Sequence, residues 1–162
     1  MSEQRPDFAI DAMLGNLAKK LRVLGLDSKY FSSIEDKKLI ELAKKENRVL
    51  ITKDEGLAKS AEKIGISIVL IRGDDEINQI IQIATKIGLT NFVIDTNLSR
   101  CVNCNGRLES IEKSRVVNKV PVGVYERQDQ FWICVDCQKL YWAGTHFKKL
   151  QEFAVRLNQR LR

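Results

Sequence analysis

Long apolar runs are missing from this sequence. None approaches the roughly 20 residues that a membrane-spanning helix needs, so no membrane association is expected. The first residues, Met1 to Asp7, are polar and lack the apolar stretch of a secretory signal, and a cytoplasmic location is expected. Internal repeats and low-complexity stretches are also absent. Histidine is nearly so: His146 stands alone, beside Tyr141 and Trp142, and reads as a packed or surface residue rather than a catalytic base. No cysteine is left without a near neighbour. What remains is a 162-residue chain, 44% hydrophobic and 30% charged, a balance that suits one soluble domain with a small appendage.

The four cysteines fall in two C-x-x-C pairs, Cys101/Cys104 and Cys134/Cys137, with 29 residues between the pairs. A C-x-x-C on a tight turn lets two thiolates face one ion, and a second such turn completes a tetrahedron. In a reducing compartment this favours a metal over disulfides. The reading is a structural zinc ribbon. Iron takes the same four-thiolate geometry, but zinc is the expected ion. Four thiolates fill the shell and leave no open position for catalysis.

Charge divides the chain at the same place. Residues 1–98 hold 15 Lys+Arg and 15 Asp+Glu, whereas residues 99–162 hold 12 against 6, which supplies the whole net charge of +6. Four thiolates and a divalent ion would leave that half at +4. A neutral unit beside a basic one suggests a polyanion held mainly by the second. Arg100, Arg107, Lys113, Arg115, Lys119 and Arg127 carry this expectation. Tyr125, Phe131, Trp132, Tyr141 and Trp142 lie among them, and most are expected in the ribbon's own small core.

Up to residue 96 the pattern alternates strand and helix. Strands are expected at Phe8–Asp11, Ser28–Phe31, Val49–Ile51 and Ile66–Ile71. Helices are expected at 12–24, from Asp36, after Asp54 and at 76–87. Their inward residues include Leu14, Leu17, Leu21 and Leu24; Leu39, Ile40, Leu42 and Ala43; Leu57, Ala58, Ala61 and Ile64; and Ile77, Ile80, Ile81, Ala84 and Ile87. Four strand–helix units predict an α/β domain, a parallel sheet covered by helices on both sides, over residues 1–96. Asn91–Ile94 is apolar enough for an edge strand. Residues 97–162 read as the ribbon, with strands at Val120–Tyr125 and Gln130–Ile133, and an amphipathic helix at His146–Leu161.

Ligands of parallel sheets sit at the carboxyl ends of the strands. Asp11 ends the first strand, Asp36 opens the second helix, Asp54 follows the third strand, and Asp74 and Asp75 follow the fourth. Clustered carboxylates are tolerable when a hard cation neutralises them, and Mg²⁺ or Mn²⁺ prefers oxygen ligands. Such an ion orients a phosphodiester and activates water. Taken singly, Asp36 and Asp75 read as helix caps. Asp54 follows a fully apolar strand and a Thr, and is harder to assign to capping alone. Asp11 reads as functional, because it puts a charge near the core. Lys19 or Lys20, Arg22 and Lys53 are candidates to hold a phosphate, although a solvated helix face explains any one of them.

The runs FAIDAMLGNLAKKLRVLGLDSKYF and DKKLIELAKKENRVLITKD, followed by SRCVNCNGRLE, VPVGVYE and FWICVDCQKLYWAGTHFKKL, resemble the mut-seven C-terminal RNase domain family. That family joins a PIN-like domain to a zinc ribbon. The resemblance implies a PIN-like fold and metal-dependent cleavage of RNA, with Asp11, Asp36 and Asp54 as the catalytic acids that hold Mg²⁺ or Mn²⁺. The fourth acid of PIN domains in general has no clear match here, and Asp74 and Asp75 are the candidates. The function expected is therefore an endoribonuclease whose basic ribbon holds the RNA. A non-catalytic RNA-binding or ribosome-associated adaptor is the alternative. A toxin-like nuclease with a cognate inhibitor, or a nuclease acting on DNA, stays open.

Overall fold

The computed structural model describes residues 5–162; Met1–Gln4, part of the polar start read above, lie outside the described residues. Four short parallel strands form the first sheet: β1 (Phe8–Ile10), β2 (Ser28–Tyr30), β3 (Val49–Thr52) and β4 (Ile68–Leu70), in the order β2-β1-β3-β4. In register, Ile10 lies beside Tyr30 and Ile51, and Thr52 beside Leu70. Each strand leads into a helix: α1 (Gly15–Val23, after a 3-10 turn at Ala12–Leu14), α2 (Asp36–Lys45), α3 (Glu55–Lys63) and α4 (Glu76–Ile87).

β1, β3 and β4 are largely apolar on both faces, and both faces are covered, whereas the edge strand β2 is Ser-Lys-Tyr. Phe8, Ile10, Ile51 and Val69 pack with α1 and α4, while Ala9 and Leu50 pack with Leu39, Ala43, Leu57 and Ala61 of α2 and α3. α1 ends where Gly25 takes φ +83°, a conformation glycine adopts without the Cβ clash, and Leu98 closes over it. Two expectations for this half need correction. Ile64 is half exposed rather than inward, because it caps α3 after the last buried turn. Ile83, by contrast, is fully buried on the inner side of α4.

Asn91–Ile94 forms no edge strand. Its backbone bonds go elsewhere: Phe92 N–H donates to Asn158 Oδ1 at 2.8 Å, and Asn158 Nδ2 donates to Phe92 O at 2.6 Å. The second sheet is antiparallel, with β5 (Leu108–Ile111), β6 (Phe131–Cys134) and β7 (Leu140–Trp142) in that order. The strand expected at Val120–Tyr125 is instead a short helix, α5 (Val122–Arg127). Pro121 has no N–H for a ladder but suits a helix start, and its carbonyl accepts from Val124 and Tyr125.

The last helix, α6 (Thr145–Leu161), leaves the second sheet and lies back on the first unit. Phe153 and Leu157 enter the core that covers α1 and α4, and Leu161 packs against it. Full burial of each such side chain stabilises by about 1.5–3 kcal/mol. A helix that follows the second sheet in the chain thus contributes to the core of the first unit.

Candidate active site and metal centre

β1 sits between β2 and β3, and the chain leaves it toward the opposite face from that taken after β3. Such a reversal opens a crevice at the carboxyl ends of the two strands. Asp11 and Asp54 flank it. Asp11 is half-buried just beyond β1, and its N–H donates to Ile51 O at 3.0 Å, so the backbone there is still paired with β3. Thr52, fully buried at the end of β3, ties the two acids together. Its hydroxyl donates to Asp11 Oδ2 at 2.7 Å and accepts from the Asp54 N–H at 3.0 Å. Tyr30, ending β2, donates to Ala12 O at 2.8 Å and fixes the backbone that follows Asp11.

The other acids are placed as follows. Asp54 is exposed and caps α3, its Oδ1 accepting from Leu57 N at 3.1 Å. Asp36 is exposed as the first residue of α2; the cap position belongs to Glu35, which corrects the capping reading of Asp36. Asp75 does cap α4, accepting from Asn78 N at 2.9 Å, and pairs with Arg160 of α6 at 3.6 Å. Asp74 is almost fully exposed and pairs with Lys53. All lie at the carboxyl edge of the sheet. Among the described residues, however, no three carboxylates come within 4.8 Å of one another, and the four cysteines alone do so as a group.

The cations proposed to hold a phosphate are mostly committed. Lys19 is exposed, while Lys20 lies over the Phe153 ring at 4.7 Å. Arg22 is buried and docks the ribbon: Nε donates to Ser28 O at 2.9 Å and Nη1 to Val102 O at 2.8 Å. Burial draws its guanidinium pKa down, and the nearby Cys101, Cys104 and Asp27 hold it up.

The two knuckles are the same turn. In the first, Cys101 N–H donates to Gly106 O at 2.8 Å; in the second, Cys134 N–H donates to Lys139 O at 2.9 Å. Asn105 and Gln138, each following the second cysteine of its pair, both have positive φ, 72° and 66°. The turns bring Cys101 and Cys137 Sγ to 3.6 Å, and Cys104 and Cys134 Sγ to 3.4 Å. Zn–S bonds of about 2.3 Å in a tetrahedron place sulfurs about 3.8 Å apart, so the four residues suit a structural zinc. Tyr141 donates to Cys101 Sγ at 3.0 Å and accepts from Val102 N at 3.2 Å, the kind of outer contact that orients a ligand.

Sequence reasoning missed the residue that joins the two units. Asn105 is buried; it accepts from Ser28 N at 2.9 Å and donates to Asp27 Oδ1 at 2.7 Å. Asp27 also receives Arg48 Nη1 at 2.8 Å and Arg100 at 3.5 Å. Burial would raise its carboxyl pKa, but the hydrogen bonds from Arg48 and Asn105 and the charges of Arg48 and Arg100 prevail and hold it below the usual range. The one available signal was an Asn-Gly directly after Cys104, which marks a turn but not its partner. Asp27 precedes β2, so the metal knuckle docks at the amino ends of the strands, opposite the acids.

Residues 6–154 match the Mut7-C RNAse domain. The chain belongs to that family. Neither curated proteins nor solved structures gave a match. A Mut7-C RNAse domain points to a nuclease-type hydrolase with RNA as its substrate, and the α/β sheet with a four-cysteine cluster is the architecture expected for it. No helix of the described residues is long and apolar enough to cross a membrane.

Proposed function

We propose that this Mut7-C protein is a metal-dependent endoribonuclease that cuts RNA phosphodiesters at the carboxyl edge of its parallel sheet. The observation that carries this reading is the Asp11–Thr52–Asp54 linkage at the switch point. A buried hydroxyl that holds one carboxylate and the backbone of another fixes both acids on one side of a crevice. Asp11 and Asp54 each have one oxygen held by the protein and another free for a cation. Mg²⁺ needs only one or two carboxylates besides water and substrate phosphate, so Asp11 and Asp54 suit it, and Asp36 at the start of α2 is a third candidate. When bound, such an ion supplies charge neutralisation and an activated water. The chain's own part is to fix the acids in place and orient the scissile phosphate. The positive N-terminal ends of α3 and α4 also favour anionic groups at this edge.

The ribbon lies at the far end of the sheet, but α6 connects it to the acids. The helix starts beside β7 and ends with Arg160 at Asp75 and Asn78. Its exposed Lys148, Lys149, Arg156 and Arg160 give RNA a basic path between the two ends. A second reading, a non-catalytic RNA-binding adaptor, is favoured by the absence of a closed three-carboxylate group among the described residues. Incubating labelled single-stranded RNA with Mn²⁺ separates the two. The nuclease reading expects cutting by the native protein and none by Asp11→Asn or Asp54→Asn, both folded. Full activity in both variants, or tight binding without cutting by the native protein, overturns it.

A further inference from the structure

A cavity of about 360 Å³ lies where β6 and β7, the segment 94–100 and the first turns of α6 meet. It is within the size range of small-ligand pockets. Trp132, Trp142, Phe147 and Leu150 give it flat apolar walls, and Thr96 and Thr145 add hydroxyls. Tyr141 also lines it, but its hydroxyl is spent on the metal knuckle. The charged groups are one-sided. Arg100 and Lys139 border the cavity beside the imidazole of His146, and no Asp or Glu does. Arg100 is engaged by Asp27. Lys139 lies over the Tyr141 ring at 5.5 Å and has no carboxylate partner among the described residues. Both Lys139 and His146 are exposed at the rim.

An apolar pocket with aromatic walls, a few hydroxyls, an unpaired lysine and an imidazole N–H at its rim is complementary to a flat heterocycle that carries a phosphate. We propose that this cavity holds one unpaired base of a single-stranded RNA, with its phosphate at Lys139 and His146. The proposal rests on the RNA-cutting reading and deepens it: the protein would grip the strand by a splayed base near the ribbon, and α6 would lead the backbone to the acids. Stacking on aromatic side chains tolerates any base, so the grip favours single strands over duplex rather than one sequence.

The two tryptophans of the chain both line the cavity, so its occupancy can be read from intrinsic emission. The experiment titrates native protein, without added Mg²⁺ or Mn²⁺ so that the strand stays whole, with a labelled ten-residue oligoadenylate and with its duplex. Tryptophan emission and RNA anisotropy are recorded together. The single strand should change both signals along one binding curve, and the duplex should leave emission unchanged. Phe147→Ala and the pair Lys139→Glu with His146→Glu should each weaken binding about tenfold or more, whereas Lys63→Glu, on α3, should not. Binding seen by anisotropy with unchanged emission places the RNA elsewhere, which overturns this proposal and leaves the nuclease reading intact. Emission that responds to an apolar peptide but not to RNA overturns it as well. Absence of RNA binding by either signal overturns this proposal, and the Mn²⁺ cleavage assay decides the nuclease reading separately.

Discussion

Replacing Thr52 by Val keeps the side-chain shape and deletes the hydroxyl that links the two acids. The side chain is fully buried, so no water takes its place. A hydrogen bond to a charged group contributes about 1.5–3 kcal/mol. The second bond, from the Asp54 N–H, adds less, because Asp54 is exposed and its amide can turn to water. A loss of about 2 kcal/mol follows, which for a chain of this size lowers Tm by about 4–8 °C and leaves it folded. Circular dichroism melts measure this. Freed from Thr52, the Asp11 carboxylate samples rotamers that face away from the crevice, and Mn²⁺-dependent cleavage should fall by about tenfold or more. Thr52→Ser, which retains the hydroxyl, should restore cleavage while remaining somewhat less stable. An unchanged Tm in Thr52→Val, or equal cleavage rates in the Val and Ser variants, would refute the bridging role.

Other substitutions probe the metal knuckle and its docking. A Cβ at position 106 would sit 2.7 Å from Cys134 Sγ and 2.6 Å from Asp136 Oδ2, so protein loaded with zinc should lose it to a chelator at about tenfold lower chelator concentration once Gly106→Ala is made; unaltered retention would contradict the geometry. Asn105→Ala strips a donor from Asp27 and an acceptor from Ser28 N. It should cost about 2–3 kcal/mol in urea unfolding, and a loss near zero would show that the ribbon docks by other means. Acid should also weaken the fold. The folded pKa of Asp27 lies below its unfolded value, so its contribution is complete above about pH 3.9 and is lost as pH falls further, through the folded value. Asp27→Asn should flatten that part of the stability–pH curve, whereas an identical slope would assign the acid loss to other groups.

The first sheet was legible because its strands and helices bury residues at regular spacing, and Leu39/Ala43 or Ile80/Ala84 announce a face by themselves. The segments that misled do so for local reasons. Val122-Gly123-Val124-Tyr125 carries strand-forming residues, yet Pro121 before it starts a helix. Asn91–Ile94 is apolar, but its backbone is satisfied by Asn158, 66 residues away, which no local pattern can announce. The cysteine cluster was legible because two matched C-x-x-C turns leave little choice but to bring the four thiols together. At the carboxyl edge, the strand ends gave the positions of the carboxylates along the sheet but not their distances from one another. They did not reveal that Thr52 joins Asp11 to Asp54, that Arg22 turns away to the ribbon, or that Asn105 docks one unit on the other. Those roles depend on which loops meet in space.

In the proposed nuclease, Asp11 and Asp54 together present a cation site to RNA. Anomalous diffraction from crystals of the native protein soaked in Mn²⁺ tests this most directly. The expected result is a manganese peak at the carboxyl ends of β1 and β3, in contact with Asp11 and Asp54, and missing from Asp11→Asn crystals treated alike. Manganese bound elsewhere while both carboxylates stay free of metal would rule out this cation site.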